Sequence, residues 1–160
     1  MAGLEALAAL SGVWAATYTL RGDPRFDSDT TSHATLAPVL GGRFVRIDYT
    51  WNEEGLDEAD GAQEGSLLVG FETEPEPGLA TVAWIDSWHN GARMMVCPGV
   101  LREDGSVDVR GSYPDQPEYA GWGWRTILAP ADGAWSMTMY NTTPDGEEML
   151  AVSAEYRRAG

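Results

Sequence analysis

The chain has 160 residues, 43% of them hydrophobic, with 19 glycines, nine prolines and seven tryptophans. That length and content point to one domain, residues 1–160, with a sizeable core, and argue against disorder. The formal net charge of −15 excludes nucleic acid and anionic membranes as expected partners, because both need clustered Lys and Arg.

Every basic side chain is Arg or His; there is no Lys. The acidity reads first as solubility. Cys97 is the only cysteine, so no internal disulfide is expected, which suits a reducing compartment. The N-terminus lacks a basic stretch, and Glu5 interrupts its short apolar run, so it does not read as a signal peptide. No apolar run approaches the ~18 residues of a membrane span. A cytoplasmic protein is expected.

Leu4, Leu7 and Ala8 fall on one side of a short helix over residues 3–10, with Leu10 nearby. So short a helix is marginal alone and must pack against the body as a cap. Residues 12–20 alternate: Trp14, Ala16, Tyr18 and Leu20 share one face. Arg21–Ser28 is a polar loop long enough to lie over a barrel mouth. A Thr-rich strand follows over 29–39, then a tight turn at Gly41-Gly42. Arg43–Trp51 is the clearest strand, with Val45, Ile47, Tyr49 and Trp51 on one face. Glu53–Gly61 is an acidic loop.

Ser66–Thr73 is a strand ended by Glu74-Pro75-Glu76-Pro77-Gly78. Leu79–Trp88 follows, and Asn90-Gly91 signals a hairpin into Arg93–Leu101, where Pro98 weakens the middle or marks a bulge. Glu103-Asp104-Gly105 turns into Ser106–Tyr113, and Pro114–Glu118 is a loop. Tyr119–Leu128, Trp135–Asn141 and Glu148–Tyr156 complete the chain, divided by turns at Ala131-Asp132-Gly133 and Thr143-Pro144-Asp145-Gly146. About ten strands joined by short turns make a meander. Its simplest closure is a single up-and-down antiparallel β-barrel with a short N-terminal helix. A two-sheet sandwich is the alternative.

The lead-in helix, Gly12-Val13-Trp14, and the closing Tyr156-Arg157-Arg158 resemble the calycin superfamily of lipocalin-like barrels. That resemblance implies a basic residue, Arg157 or Arg158, stacked on Trp14. Leu40-Gly41-Gly42-Arg43-Phe44, Trp84-Ile85-Asp86-Ser87 and Pro144-Asp145-Gly146-Glu147-Glu148 resemble a bacterial family of short barrels with no assigned function. It implies a barrel with an internal cavity and no particular reaction. Some related small barrels bind haem through a histidine near the C-terminus. Here both histidines, His33 and His89, lie earlier, which counts against haem, and no cofactor is expected.

Trp84, Asp86 and Trp88 share a strand face by parity. Two indoles flanking a carboxylate suit a flat, partly polar ligand, while the same residues also make an ordinary core. Arg125 poses a parity choice: either it faces in with Ile127, or Trp122 and Trp124 do. Facing in, it needs a partner, and an Arg125–Asp86 pair is the specific expectation. Arg43 and Arg46 pose a similar choice. His89, before Asn90-Gly91, sits at a strand end, as a base or simply exposed. His33 has no second His or Cys at metal spacing, so no metal site is expected. No nucleophile elbow or phosphate-binding glycine loop occurs.

The leading expectation is a small apolar or aromatic molecule held in the barrel by Tyr49, Trp84, Trp88 and Met139. Asp86, Arg125 or Arg43 would anchor its polar end. The alternatives are an isomerase or hydrolase-like enzyme using Asp86 or His89, and a non-catalytic interaction protein such as a homodimer.

Overall fold

The computed structural model describes residues 2–160 except 23, 25, 26, 56–60, 73–77, 115 and 116. The expected turn at Glu74–Pro77 lies outside the described residues, as do parts of three expected loops. A helix, α1 (Ala2–Ala9), precedes ten strands: β1 (Gly12–Leu20), β2 (Ser28–Val39), β3 (Phe44–Trp51), β4 (Gln63–Glu72), β5 (Leu79–Asp86), β6 (Met95–Leu101), β7 (Val107–Ser112), β8 (Gly123–Ala131), β9 (Ala134–Thr142) and β10 (Glu148–Arg158).

Each strand pairs antiparallel with its sequence neighbour, and β1 pairs with β10, so the sheet closes on itself. This is the expected up-and-down barrel, and closure leaves no edge strand to protect. The predicted parity holds on β3, where Val45, Ile47, Tyr49 and Trp51 are all buried. Tyr49 pairs with Gly65, and a Cβ at Gly65 would lie 2.4 Å from the tyrosine ring. The missing side chain on β4 is the space into which the Tyr49 ring folds.

The two ends of the barrel differ. At one end lie the tight β2–β3, β6–β7 and β8–β9 turns and α1, whose Leu4 and Leu7 are buried. Trp14 Nε1 donates to Leu10 O at 2.8 Å and ties the helix exit to β1. The guanidinium of Arg158 lies 4.2 Å above the Trp14 ring, and its Nη1 donates to Ser11 O at 2.8 Å. Gly12 has φ +133°, and a Cβ there would sit 2.2 Å from that nitrogen. A glycine is therefore required for the arginine to reach over. The stacked basic residue is Arg158; Arg157 points away and pairs with Glu155.

The opposite end carries the β1–β2, β3–β4, β5–β6, β7–β8 and β9–β10 connections. Its β5–β6 connection departs from expectation. The strand ends at Asp86 rather than running through Trp88, and the Asn90-Gly91 turn sits inside a connection spanning 87–94. Arg93 N donates to Asn90 O at 3.0 Å across that turn. Asp86 takes over the backbone amides of His89 and Asn90 with its side chain, which stops the ladder.

The closed-end lock yields a test. Arg158→Ala removes a cation–π contact and a hydrogen bond, and should lower stability by about 1–2 kcal/mol in urea unfolding. Arg157→Ala, on an exposed pair, should change it by less than about 0.5 kcal/mol. Equal effects would contradict the assignment of the lock to Arg158.

Candidate functional site

A column of aromatic rings fills the barrel. Tyr18 stacks on Trp51 at 5.3 Å between centroids, Trp84 on Trp124 at 4.9 Å, and Trp135 on Tyr156 at 4.1 Å. All six side chains are at most 1% exposed. Trp84 Nε1 donates to Tyr49 Oη at 3.0 Å, and Ser32 Oγ pairs with Tyr156 Oη at 2.7 Å. These rings occupy much of the space that the sequence reading left to a ligand.

A cavity of about 880 Å³ opens instead at the mouth, the end opposite α1. Its walls include Trp88, His89, Asn90, Tyr113, Tyr119 and Trp122. Met94, Met95 and Met149 add pliable apolar surface. The mouth adjoins a weak seam. Strands β6 and β7 pair only through Gly99–Leu101 and Val107–Val109. Pro98, just before that register, has no N–H to give a ladder. Beyond it the gap is packed by side chains: a Cβ at Gly111 would meet Cys97 Sγ at 2.6 Å and Met95 Sδ at 2.7 Å. Burial pushes the Cys97 thiol up to about 11, so it is inert filling rather than a nucleophile.

Asp86 closes β5 and holds His89, which lines the mouth. Its Oδ1 accepts from His89 N at 2.7 Å and Asn90 N at 2.9 Å, and its Oδ2 lies 2.5 Å from His89 Nδ1. The His89 ring is packed between indoles, with centroids 4.9 Å from Trp124, 5.5 Å from Trp84 and 6.5 Å from Trp51. The carboxylate is buried and the imidazole nearly so, with side chains 1% and 14% exposed. Burial pushes the phenols of Tyr18, Tyr49 and Tyr113 up, and the negative charge of Asp86 pushes them further. All three stay neutral around pH 7.

Several buried polar atoms on this side of the core have no hydrogen-bond partner among the described residues. They are Trp51 Nε1, Trp124 Nε1, Asn90 Nδ2, Thr126 Oγ1 and Thr142 Oγ1.

The sequence candidates separate. Trp88 lines the mouth from the connection rather than from a strand face. Trp84 and Asp86 do not line it; both contact His89, which does. Tyr49 is bonded to Trp84, and Tyr49 and Asp86 line a second cavity of about 820 Å³ that shares Gly91, Arg93 and Met94 with the mouth. Met139 is buried inside the barrel on β9, opposite Thr126. Arg43 is exposed in the β2–β3 turn, at the far end. Arg125 does not meet Asp86. Strand β8 turns Trp124, Thr126 and Leu128 inward and Arg125 outward, because the large apolar side chains take the core face. On the outer face Arg125 Nε and Nη2 hold Asp108 at 2.9 and 2.8 Å, and Nη1 reaches Glu148 at 2.7 Å. Arg102 and Arg110 also reach Asp108.

Residue type and strand parity do not single out Asn90, Tyr113, Tyr119 or Trp122 as site residues, and they offer His89 as an acid or base at a strand end. One signal was available. An Asp with polar residues three and four positions on, at the end of an apolar run, is the pattern of a carboxylate that caps a turn. Among the described residues no three His, Cys, Asp or Glu side chains gather as a metal site. No helix among them is long and apolar enough to cross a membrane.

Comparison with known proteins agrees with the fold. The model of the family described as "Protein of unknown function (DUF1579)" matches residues 4–158. No curated protein matches. The crystal structure of Rv2717c from M. tuberculosis superposes with a TM-score of 0.63 at 14% identity, covering 100% of this chain and 99% of that one. At that identity the likeness is one of fold.

The outer ion cluster predicts an acid-linked loss of stability. Hydrogen bonds from Arg125, followed by the charges of the surrounding arginines, hold the Asp108 carboxyl below its usual range against the opposing effect of burial. Its contribution is therefore complete above the unfolded-state value of about 3.9 and fades as pH falls through the lower folded value. Asp108→Asn should cost about 2–3 kcal/mol at pH 7 in urea unfolding, and that gap should narrow below about pH 4. A gap independent of pH would contradict the assignment.

Proposed function

The chain belongs to that family of unknown function, and from this premise we propose that it binds a small, flat, apolar or aromatic molecule at the mouth of its barrel. The observation that carries the reading is the mouth cavity of about 880 Å³, walled by aromatic and methionine side chains. Ligand sites are characteristically apolar clefts with a few placed polar groups, of about 300–1,000 Å³. Aromatic walls give a flat ligand stacking partners at little entropic cost. The ligand would sit above the aromatic column, not deep within it.

A second reading is acid–base catalysis in the same cleft. It is favoured by the 2.5 Å contact between Asp86 Oδ2 and His89 Nδ1, the arrangement in which a carboxylate orients an imidazole base. Turnover of an added substrate that disappears with Asp86→Asn would support this reading over simple binding.

Titration with Nile red, a flat neutral dye, tests the binding reading. The seven tryptophans report binding as quenching, and the dye as a rise in emission. Saturable binding is expected, weakened roughly tenfold by Trp88→Ala or Tyr119→Ala, the loss of one stacked ring. No saturation, or saturation indifferent to both variants, would overturn the mouth as the site.

A further inference from the structure

The outer face of β4–β6 is apolar and open. Eleven large hydrophobic side chains are exposed among the described residues, and six of them gather here: Leu68, Leu79, Ile85, Met94, Val96 and Val100. Strand register makes them neighbours. Leu68 stands beside Ala83, and Ala83 beside Val96; Leu79 stands beside Val100, and Thr81 beside Pro98. Ile85 and Met94 line one cavity together. The other five, among them Val13 on β1 and Leu40 in the β2–β3 turn, lie elsewhere. Single exposed apolar residues are ordinary, and a contiguous patch is not. At exposures of 38–61% the six leave roughly 550 Å² open, at the upper limit of the ~300–600 Å² that an ordinary monomer shows as its largest patch.

Charge decides what covers this face. The outward positions of β5 are Leu79, Thr81, Ala83 and Ile85, and those of β6 are Val96, Pro98 and Val100; none is charged. On β4 the charged side chains, Glu64 and Glu72, stand near the ends. Charge flanks the face on both sides, as the Arg46–Asp48 pair on β3 and the Asp108 cluster on β7. A basic partner would be recognised through acidic side chains, and the middle of this face offers none. A second copy of the chain, with its own net charge of −15, is repelled wherever charged faces meet and is admitted only by a neutral one. The barrel is closed, so no strand edge is open for pairing, and association must run face to face. Thr81 and Pro98, both exposed, bring the face toward the ~800 Å² per partner of a standard interface. We propose that the protein is a homodimer joined through its β4–β6 outer faces about a two-fold axis. Of the six side chains, Met94 alone also lines the mouth.

Analytical ultracentrifugation of the whole protein tests the dimer. It should form at micromolar concentration and tighten as NaCl is raised from about 0.05 to about 0.5 M, because salt screens the repulsion between two acidic chains and leaves the apolar contact. In a two-fold interface each substitution acts on both halves. Val96→Glu and Leu68→Glu, at exposed positions, should each raise the dissociation constant at least about tenfold. Val13→Glu adds the same charge on β1, at a residue 53% exposed against 57% for Val96, and should change the constant less than about twofold. Val96→Thr keeps the branched shape and should weaken the dimer in the same direction, so the face is tested even where a glutamate variant fails to fold. A monomer in high salt at about 100 μM would overturn the proposal and leave the face to an unlike partner. So would a dimer that loosens with salt, one indifferent to Val96→Glu, Leu68→Glu and Val96→Thr, or one broken equally by Val13→Glu.

Discussion

Trp84 and Trp124 stack 4.9 Å apart, and the His89 ring lies against both. A polar ring held among indoles needs a partner of its own, because buried polar groups left unpaired are costly. Asp86 supplies it. A buried carboxylate carries its own desolvation cost of several kcal/mol, met only when its lone pairs are engaged. Two backbone amides and the imidazole engage them here. Those amides are free because β5 has ended, and β5 ends because Asp86 captures them. Strand terminus, buried charge and oriented histidine are one structure, and the aromatic packing beneath sets its height in the barrel.

The asymmetry of the barrel follows. At the α1 end, Leu4, Leu7, Trp14 and Arg158 close the bottom with apolar contact and one stacked cation. At the mouth, the walls are loop aromatics and methionines, and beyond its short ladder at Gly99–Leu101 the neighbouring β6–β7 seam is filled by Met95 and Cys97 against Gly111. Charge is used differently outside. Asp108 is nearly inaccessible, yet it lies on the outer face beneath Arg125, Arg102 and Arg110, where it ties β7 to β8 and to the β6–β7 turn. That cluster is structural support for the wall, remote from the Asp86 chemistry.

Much of the architecture was legible in residue order. Strict alternation in β3, turn residues every ten or so positions, and no helical stretch beyond the first ten residues leave a closed meander as the simple solution. Parity alone could not orient Arg125: it puts Trp124 and Arg125 on opposite faces without saying which is inside, and an inward Arg125 stayed open only so long as Asp86 could be its partner. The site was half visible. Trp84 and Asp86 stand on a strand and obey its period, so they could be singled out. Trp88, His89 and Asn90 do not, because the Asp86 side chain breaks the period that would have placed them. Tyr113, Tyr119 and Trp122 reach the mouth from a loop, and loop side chains carry no periodic signal.

The proposed site is a mouth above a filled lower barrel, and the seven indole N–H groups report on both at once. In ¹⁵N-labelled protein titrated with Nile red, the Trp88, Trp122 and Trp124 indole signals should move. Those of Trp14 and Trp135, at the closed end, should stay in place. Movement of the Trp14 and Trp135 signals with those at the mouth unchanged would contradict it.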